Sequence, residues 1–70
     1  MSDTITLLVN GETRSSSSGI SLPDLLHQLG FNIRLVAVEY NGEILHRQFW
    51  SETKVNQGDR LEVVTIVGGG

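Results

Sequence analysis

Cysteine is missing from this sequence altogether. Its absence excludes disulfide staples, thiolate metal sites and a cysteine nucleophile. Basic residues are also few, five against eight acids, and Arg14, Arg34, Arg47, Lys54 and Arg60 never cluster. A nucleic-acid binder ordinarily shows a basic stripe with aromatic platforms, so no nucleic-acid partner is expected. No apolar run approaches the length needed to cross a bilayer, so no membrane partner is expected either. Met1-Ser2-Asp3 lacks the basic and apolar regions of a signal peptide, and the expected location is the cytoplasm. Seventy residues leave room for one small domain with a marginal core.

What is present is strongly patterned. Ile5, Leu7 and Val9 alternate before Asn10-Gly11, and a polar extended run follows. Asn-Gly between extended segments marks a two-residue hairpin, because a type I′ turn needs positive φ at both central positions. The pattern predicts strands over 4–9 and 12–16, then a solvated connection through the serine run Ser15 to Ser18. In "SLPDLLHQLGF", Ser21 is placed to cap the amide of Asp24, and Pro23 sits in the first turn, where its missing N–H costs little. Leu22, Leu25, Leu26 and Leu29 form one apolar stripe, and Gly30 supplies a left-handed stop. So short a helix needs a sheet to lie on.

"LVAVEYNGEIL" reads as a third strand, a second Asn-Gly turn and a short fourth strand. "HRQFW" then predicts an irregular or single-turn helical piece that tucks Phe49 and Trp50 against the core. A turn over 56–59, with Asp59 bonding nearby backbone amides, leads into a final strand over 60–67. The order β, β, α, β, β, β with one helix predicts an α+β domain, a mixed sheet of four to five strands with the helix on one face. The first hairpin and the last strand are expected at its centre, the β-grasp arrangement. The domain is expected to span residues 1–67, with 68–70 a flexible tail.

Candidate chemistry is sparse. His27 and His46 have no companions at metal-ligand spacing, so both read as surface residues. Asp59 and Trp50 read as structural. The glycines at the end resemble a phosphate loop only superficially, since such loops lead into a helix and none follows here. By average usage, three consecutive glycines arise by chance roughly 3 times in 10,000. A loose terminus is the plain alternative. The chemical alternative is a carboxylate on an arm without side chains, narrow enough to enter another protein's active site.

Taken together, "LVNGE", "LPDLLHQLG", "VAVEYNGEIL", "HRQFW" and "QGDRLEVVTIVGGG" resemble the ThiS family of sulfur carriers in thiamine (thiazole) biosynthesis, of the ThiS/MoaD ubiquitin-like type. Arg47 with Trp50, the Gly58-Asp59 turn and the terminal Gly69-Gly70 are the most specific parts. The serine run is a departure. The resemblance implies a ubiquitin-like β-grasp fold and no catalytic residue of the chain's own. It implies that a ThiF-type adenylating enzyme, using ATP and Mg, activates the Gly70 carboxylate. Sulfur from cysteine, by way of a desulfurase, then yields a thiocarboxylate for a ThiG-type thiazole synthase. Gly68, Gly69 and Gly70 would enter the partners' active sites, with no cofactor or metal bound by the carrier itself. The small subunit of molybdopterin synthase, with the same tail, is the nearest rival; a non-covalent ubiquitin-like binding module is the other. Strand alternation further predicts a docking patch on the sheet face away from the helix, formed by Val64 and Ile66 beside Leu8 and Ala37.

Overall fold

Both Asn-Gly pairs close tight hairpins in the computed structural model, which describes residues 3–66. Asn10 and Asn41 each adopt φ 53°, and Gly11 and Gly42 follow at 81° and 90°, the conformation a type I′ turn demands. The first turn joins β1 (Thr4–Val9) to β2 (Glu12–Ser17) and the second joins β3 (Val36–Tyr40) to β4 (Glu43–Ile44). Between the hairpins lies α1 (Leu22–Gln28); a 3-10 helix (Arg47–Glu52) and β5 (Arg60–Thr65) complete the chain. Residues 67–70, which include the tail expected over 68–70, lie outside the described residues.

The helix forms where the sequence places it. The Ser21 hydroxyl accepts from the Asp24 amide at 3.3 Å, and Pro23 occupies the first turn. At the other end Phe31 N–H reaches Leu26 O and Gly30 N–H reaches His27 O, both at 3.0 Å, with Gly30 at φ 90°. This pair of bonds is the Schellman closure, and only a residue tolerant of positive φ makes it without strain. Leu22, Leu25 and Leu26 lose all contact with solvent. They meet Leu7, Val38 and Leu61 from the inner sheet face, with Trp50 and Val55 closing the rim. Each such burial contributes roughly 1.5–3 kcal/mol, which is what holds a seven-residue helix in place.

The sheet order is β2-β1-β5-β3-β4. β5 therefore runs between β1, to which it is parallel, and β3, to which it is antiparallel. This corrects one expectation: only β1 of the first hairpin is central, and β2 is an edge strand. A second correction concerns the serines. β2 continues through Ser17, and Ser16 is buried, donating to Gln28 Oε1 at 2.7 Å. The tight turn decides this: with Val9 opposite Glu12, the six residues of β1 draw residues 12–17 into the ladder. Third, Phe49 is not tucked into the core but stays 47% exposed, while Trp50 is buried. In a helix of three residues per turn, adjacent side chains diverge by about 120°, so only one of the pair faces inward.

Polar side chains fix both flanks of β5. Asn10 donates its backbone N–H to Leu61 O, and its carboxamide both accepts from Val63 N–H (2.7 Å) and donates to Val63 O (3.1 Å). On the other flank Asn41 N–H bonds Arg60 O, and the Asn41 carboxamide oxygen accepts from Arg60 N–H at 2.8 Å. Just before β5, the buried Asp59 carboxylate accepts from Asn56 N–H (2.7 Å), from the Asn41 side chain (3.2 Å) and from the Tyr40 hydroxyl. Burial, together with the hydrogen bond to Asp59 and its negative charge, pushes the Tyr40 hydroxyl up to about 12.

Two outcomes follow from these bonds. Asn10→Ala removes both ladder bonds at Val63 and strains a positive-φ position, and should cost about 2–3 kcal/mol in urea unfolding. The neutral Tyr40 hydroxyl is the form the fold favours, so its contribution is complete below pH 10 and is lost as pH rises through about 12. Tyr40→Phe should flatten that alkaline decline in a stability-versus-pH series; an unchanged slope would assign the decline to other groups.

Candidate functional site

Strand alternation leaves the sheet face opposite α1 uncovered. On β5, Leu61 and Val63 point into the core, so Arg60, Glu62 and Val64 point outward, and Ile66 just beyond the strand is exposed as well. On β3, Val36 and Val38 are buried, and Ala37 and Glu39 share the outer face. Register sets the neighbours: Ala37 lies directly opposite Val64, and Glu39 directly opposite Glu62. The short β4 adds Ile44 on the far side of Glu39. Val64 is 58% exposed and Ile44 69%. Ala37, Val38, Glu39, Ile44, Glu62 and Val64 line a shallow groove of ≈ 150 Å³.

Of the docking residues expected from the sequence, Ala37 and Val64 are thus cross-strand partners, and Ile66 continues the exposed side of β5. Leu8 is exposed but stands apart. It pairs with Arg60, four residues before Val64 on β5, which at ~3.3 Å per residue is about 13 Å along the strand. The parallel β1–β5 pairing causes this separation, because β1 turns away after Val9. Ile44, Glu39 and Glu62 were missed, although a signal existed: the two-residue turn at Asn41-Gly42 fixes Glu39 opposite Ile44. Gly68, Gly69 and Gly70 fall outside the described residues.

The end of the described chain is anchored. Ile66 N–H bonds Leu35 O at 2.6 Å, so the last described residue hangs on the segment leading into β3. Arg47 holds the same segment from the other side, donating to Val36 O at 3.1 Å and to Ile33 O. Its guanidinium lies 4.5 Å from the Trp50 ring centroid, and Trp50 Nε1 donates to Leu45 O at 2.9 Å. Arg47 is therefore a hub linking the 3-10 helix, the approach to β3 and, through Leu35, the end of β5. A cation set over a ring while its two forks donate to different carbonyls is an arrangement open to arginine and not to lysine.

Other polar groups offer little chemistry. Among the described residues, no three or more His, Cys, Asp or Glu come together in a way that could hold a metal ion. His27 and His46 are both exposed, and Asp59 is committed to its turn. Nor does any helix among these residues have the length and apolarity to cross a membrane.

A five-strand mixed sheet gripping one helix, with an uncovered apolar face and its last strand in the centre, defines a ubiquitin-like β-grasp domain. The sequence model of the ThiS family matches residues 7–70, and this chain belongs to that family. Its backbone is similar to the crystal structure of the thiamine biosynthesis protein ThiS from Geobacter metallireducens, with a TM-score of 0.81 at 33% identity, covering 94% of this chain and 100% of that one. It is 47% identical over 66 residues to the ycf40 protein of Pyropia yezoensis, covering 94% of this chain and 93% of that protein. It is also 44% identical over 64 residues to a thiazole synthase of Paramagnetospirillum magneticum. That match takes in 91% of this chain but spans only 20% of the thiazole synthase.

Proposed function

We propose that this chain is a cytoplasmic sulfur carrier for thiazole formation, acting as a co-substrate of partner enzymes and not as an enzyme itself. The observation that carries this reading is the family match, which continues past the sheet to Gly70. With Gly70 as the free end, its carboxylate is a poor electrophile until activated. A ThiF-type enzyme with MgATP would supply the activation: a carboxylate oxygen attacks the α-phosphorus, and pyrophosphate leaves. A persulfide on a desulfurase, its sulfur drawn from cysteine, would then attack the carbonyl carbon and displace AMP. A thiol would cleave the resulting acyl disulfide to leave the thiocarboxylate and a new disulfide. The resulting thiocarboxylate passes its sulfur to a ThiG-type thiazole synthase. The thiazole synthases with a stretch similar to this chain support that choice of partner over a molybdopterin synthase.

The division of labour suits the residues. The chain has no cysteine on which to hold sulfur. Gly68 to Gly70 carry no side chains, so they suit a narrow channel. The outer sheet face around Ala37, Val64 and Ile66 supplies the docking surface, since exposed apolar groups grouped on a small domain commonly mark a partner site.

Incubation with MgATP, the activating enzyme and a sulfur source should change the intact mass by one oxygen-to-sulfur exchange, located at Gly70. Deleting Gly70 shortens the reach by about 3.5 Å. Reacting atoms must approach within about 3–3.5 Å, so most transfer should be lost while the fold survives. Normal thiocarboxylate formation by a chain lacking Gly69 and Gly70 would refute the carrier reading and favour a binding module with an inert tail.

Val64→Asp should weaken binding to the activating enzyme or to thiazole synthase by about tenfold or more, equivalent to at least about 1.4 kcal/mol. The circular dichroism spectrum and melting temperature should stay close to those of the parent, because Val64 is not part of the core.

A further inference from the structure

Glu39 and Glu62 face each other across β3 and β5 on the uncovered side of the sheet. Like charges placed directly opposite in an antiparallel pair destabilise it, with Cβ atoms only about 4.5–5.5 Å apart. No cation among the described residues forms an ion pair with either carboxylate. Among the described residues the one ion pair joins Arg14 to Glu12, at the hairpin of the first two strands. Arg60 shares the outer face two residues before Glu62, but its guanidinium extends beside Gly42 at the end of the sheet. The two carboxylates therefore sit in water within an apolar frame, with Ile44 on one side of Glu39 and the Ala37–Val64 pair in the next row.

We infer that this Glu39–Glu62 pair receives an arginine side chain of thiazole synthase, making the groove a charge-selective docking site. The inference rests on the carrier reading given above and adds to it the chemistry of the partner surface: one guanidinium surrounded by apolar side chains. A guanidinium fits better than an ammonium because its planar fork can present one edge to each carboxylate. The surrounding Ile44, Val64 and Ile66 would be covered on docking, which excludes water from the new ion pair and strengthens it. Repulsion held in the free sheet is relieved when the cation arrives, so the same two residues that weaken the free fold favour the complex.

The test uses the full chain and thiazole synthase as the binding probe, at low and at high salt. Glu39→Gln with Glu62→Gln should lower affinity about tenfold or more at low salt and remove most of the salt dependence. The same variant should melt at or above the parent temperature, a result that a purely structural role for the pair would not give. Should the double change disturb the sheet, Glu62→Gln alone serves, with an intermediate loss expected. Reversal to lysine at both positions should abolish binding.

Unchanged affinity in the glutamine variants overturns the inference, as does failure of the parent chain to bind thiazole synthase at all. So does self-association of the parent that the glutamine changes eliminate, since the occupant would then be a second copy offering Arg60. Intact-mass measurement on the same preparations separates the two readings. Thiocarboxylate at Gly70 with no glutamate effect overturns the docking pair alone, and a glutamate effect without thiocarboxylate overturns the carrier reading alone.

Discussion

β5 can occupy the middle of the sheet only if its backbone finds hydrogen-bond partners on both sides, and on the β1 side the strand pairing runs out after two residues. Leu8 pairs with Arg60 and Val9 with Leu61; then β1 turns away at Asn10-Gly11. The Asn10 carboxamide takes over where the strand ends, offering Val63 both an acceptor and a donor. A side-chain amide is the one group that reproduces the donor–acceptor pair of a peptide. Without it Val63 N–H and C=O would lose those partners beside the core, and unmet backbone groups of that kind cost about 1–3 kcal/mol each. The turn residue that makes the first hairpin thus also holds the last strand, more than fifty positions away in the chain. Leu61, with no solvent exposure, the Ala37–Val64 pair and the anchor at Ile66 all follow from where that strand lies.

The parts legible in the sequence are those encoded by neighbours. Two Asn-Gly turns, a capped helix with a glycine stop, and the alternation along β5 each depend on residues within a few positions of one another. The inner and outer faces of β5 were legible for the same reason, because Val64 and Ile66 take the opposite parity from Leu61. What sequence reasoning misplaced depends on distant partners. Ser17 looks like loop when read alone, and becomes strand because β1 is long enough to pair it with Thr4, while Ser16 turns inward where Gln28 is near enough to bond it. Leu8 belongs to the right face but the wrong end, since strand parity carries no information about the register of a parallel pair. Arg47 bonds two carbonyls in a segment over ten residues earlier, a contact that no periodicity announces.

The edges of the sheet bear on how a partner approaches. An exposed strand edge invites pairing with another chain, and proteins blunt such edges with short strands or polar side chains. Both edges here are blunted in that way: β4 has two residues, and β2 carries Thr13, Arg14 and a run of serines. The exposed apolar surface of β3, β4 and β5 instead lies on the open face. Binding through strand addition is therefore disfavoured by the same features that expose Val64 and Ile44 to face-on contact. Face-on docking also leaves β5 inside the covered surface along its length. Since Ile66 is bonded to Leu35 at the limit of that surface, the last described residue lies at its rim. On the carrier reading proposed above, a domain held this way would need no change of shape to deliver its end, because the bond from Ile66 to Leu35 already fixes the last described residue.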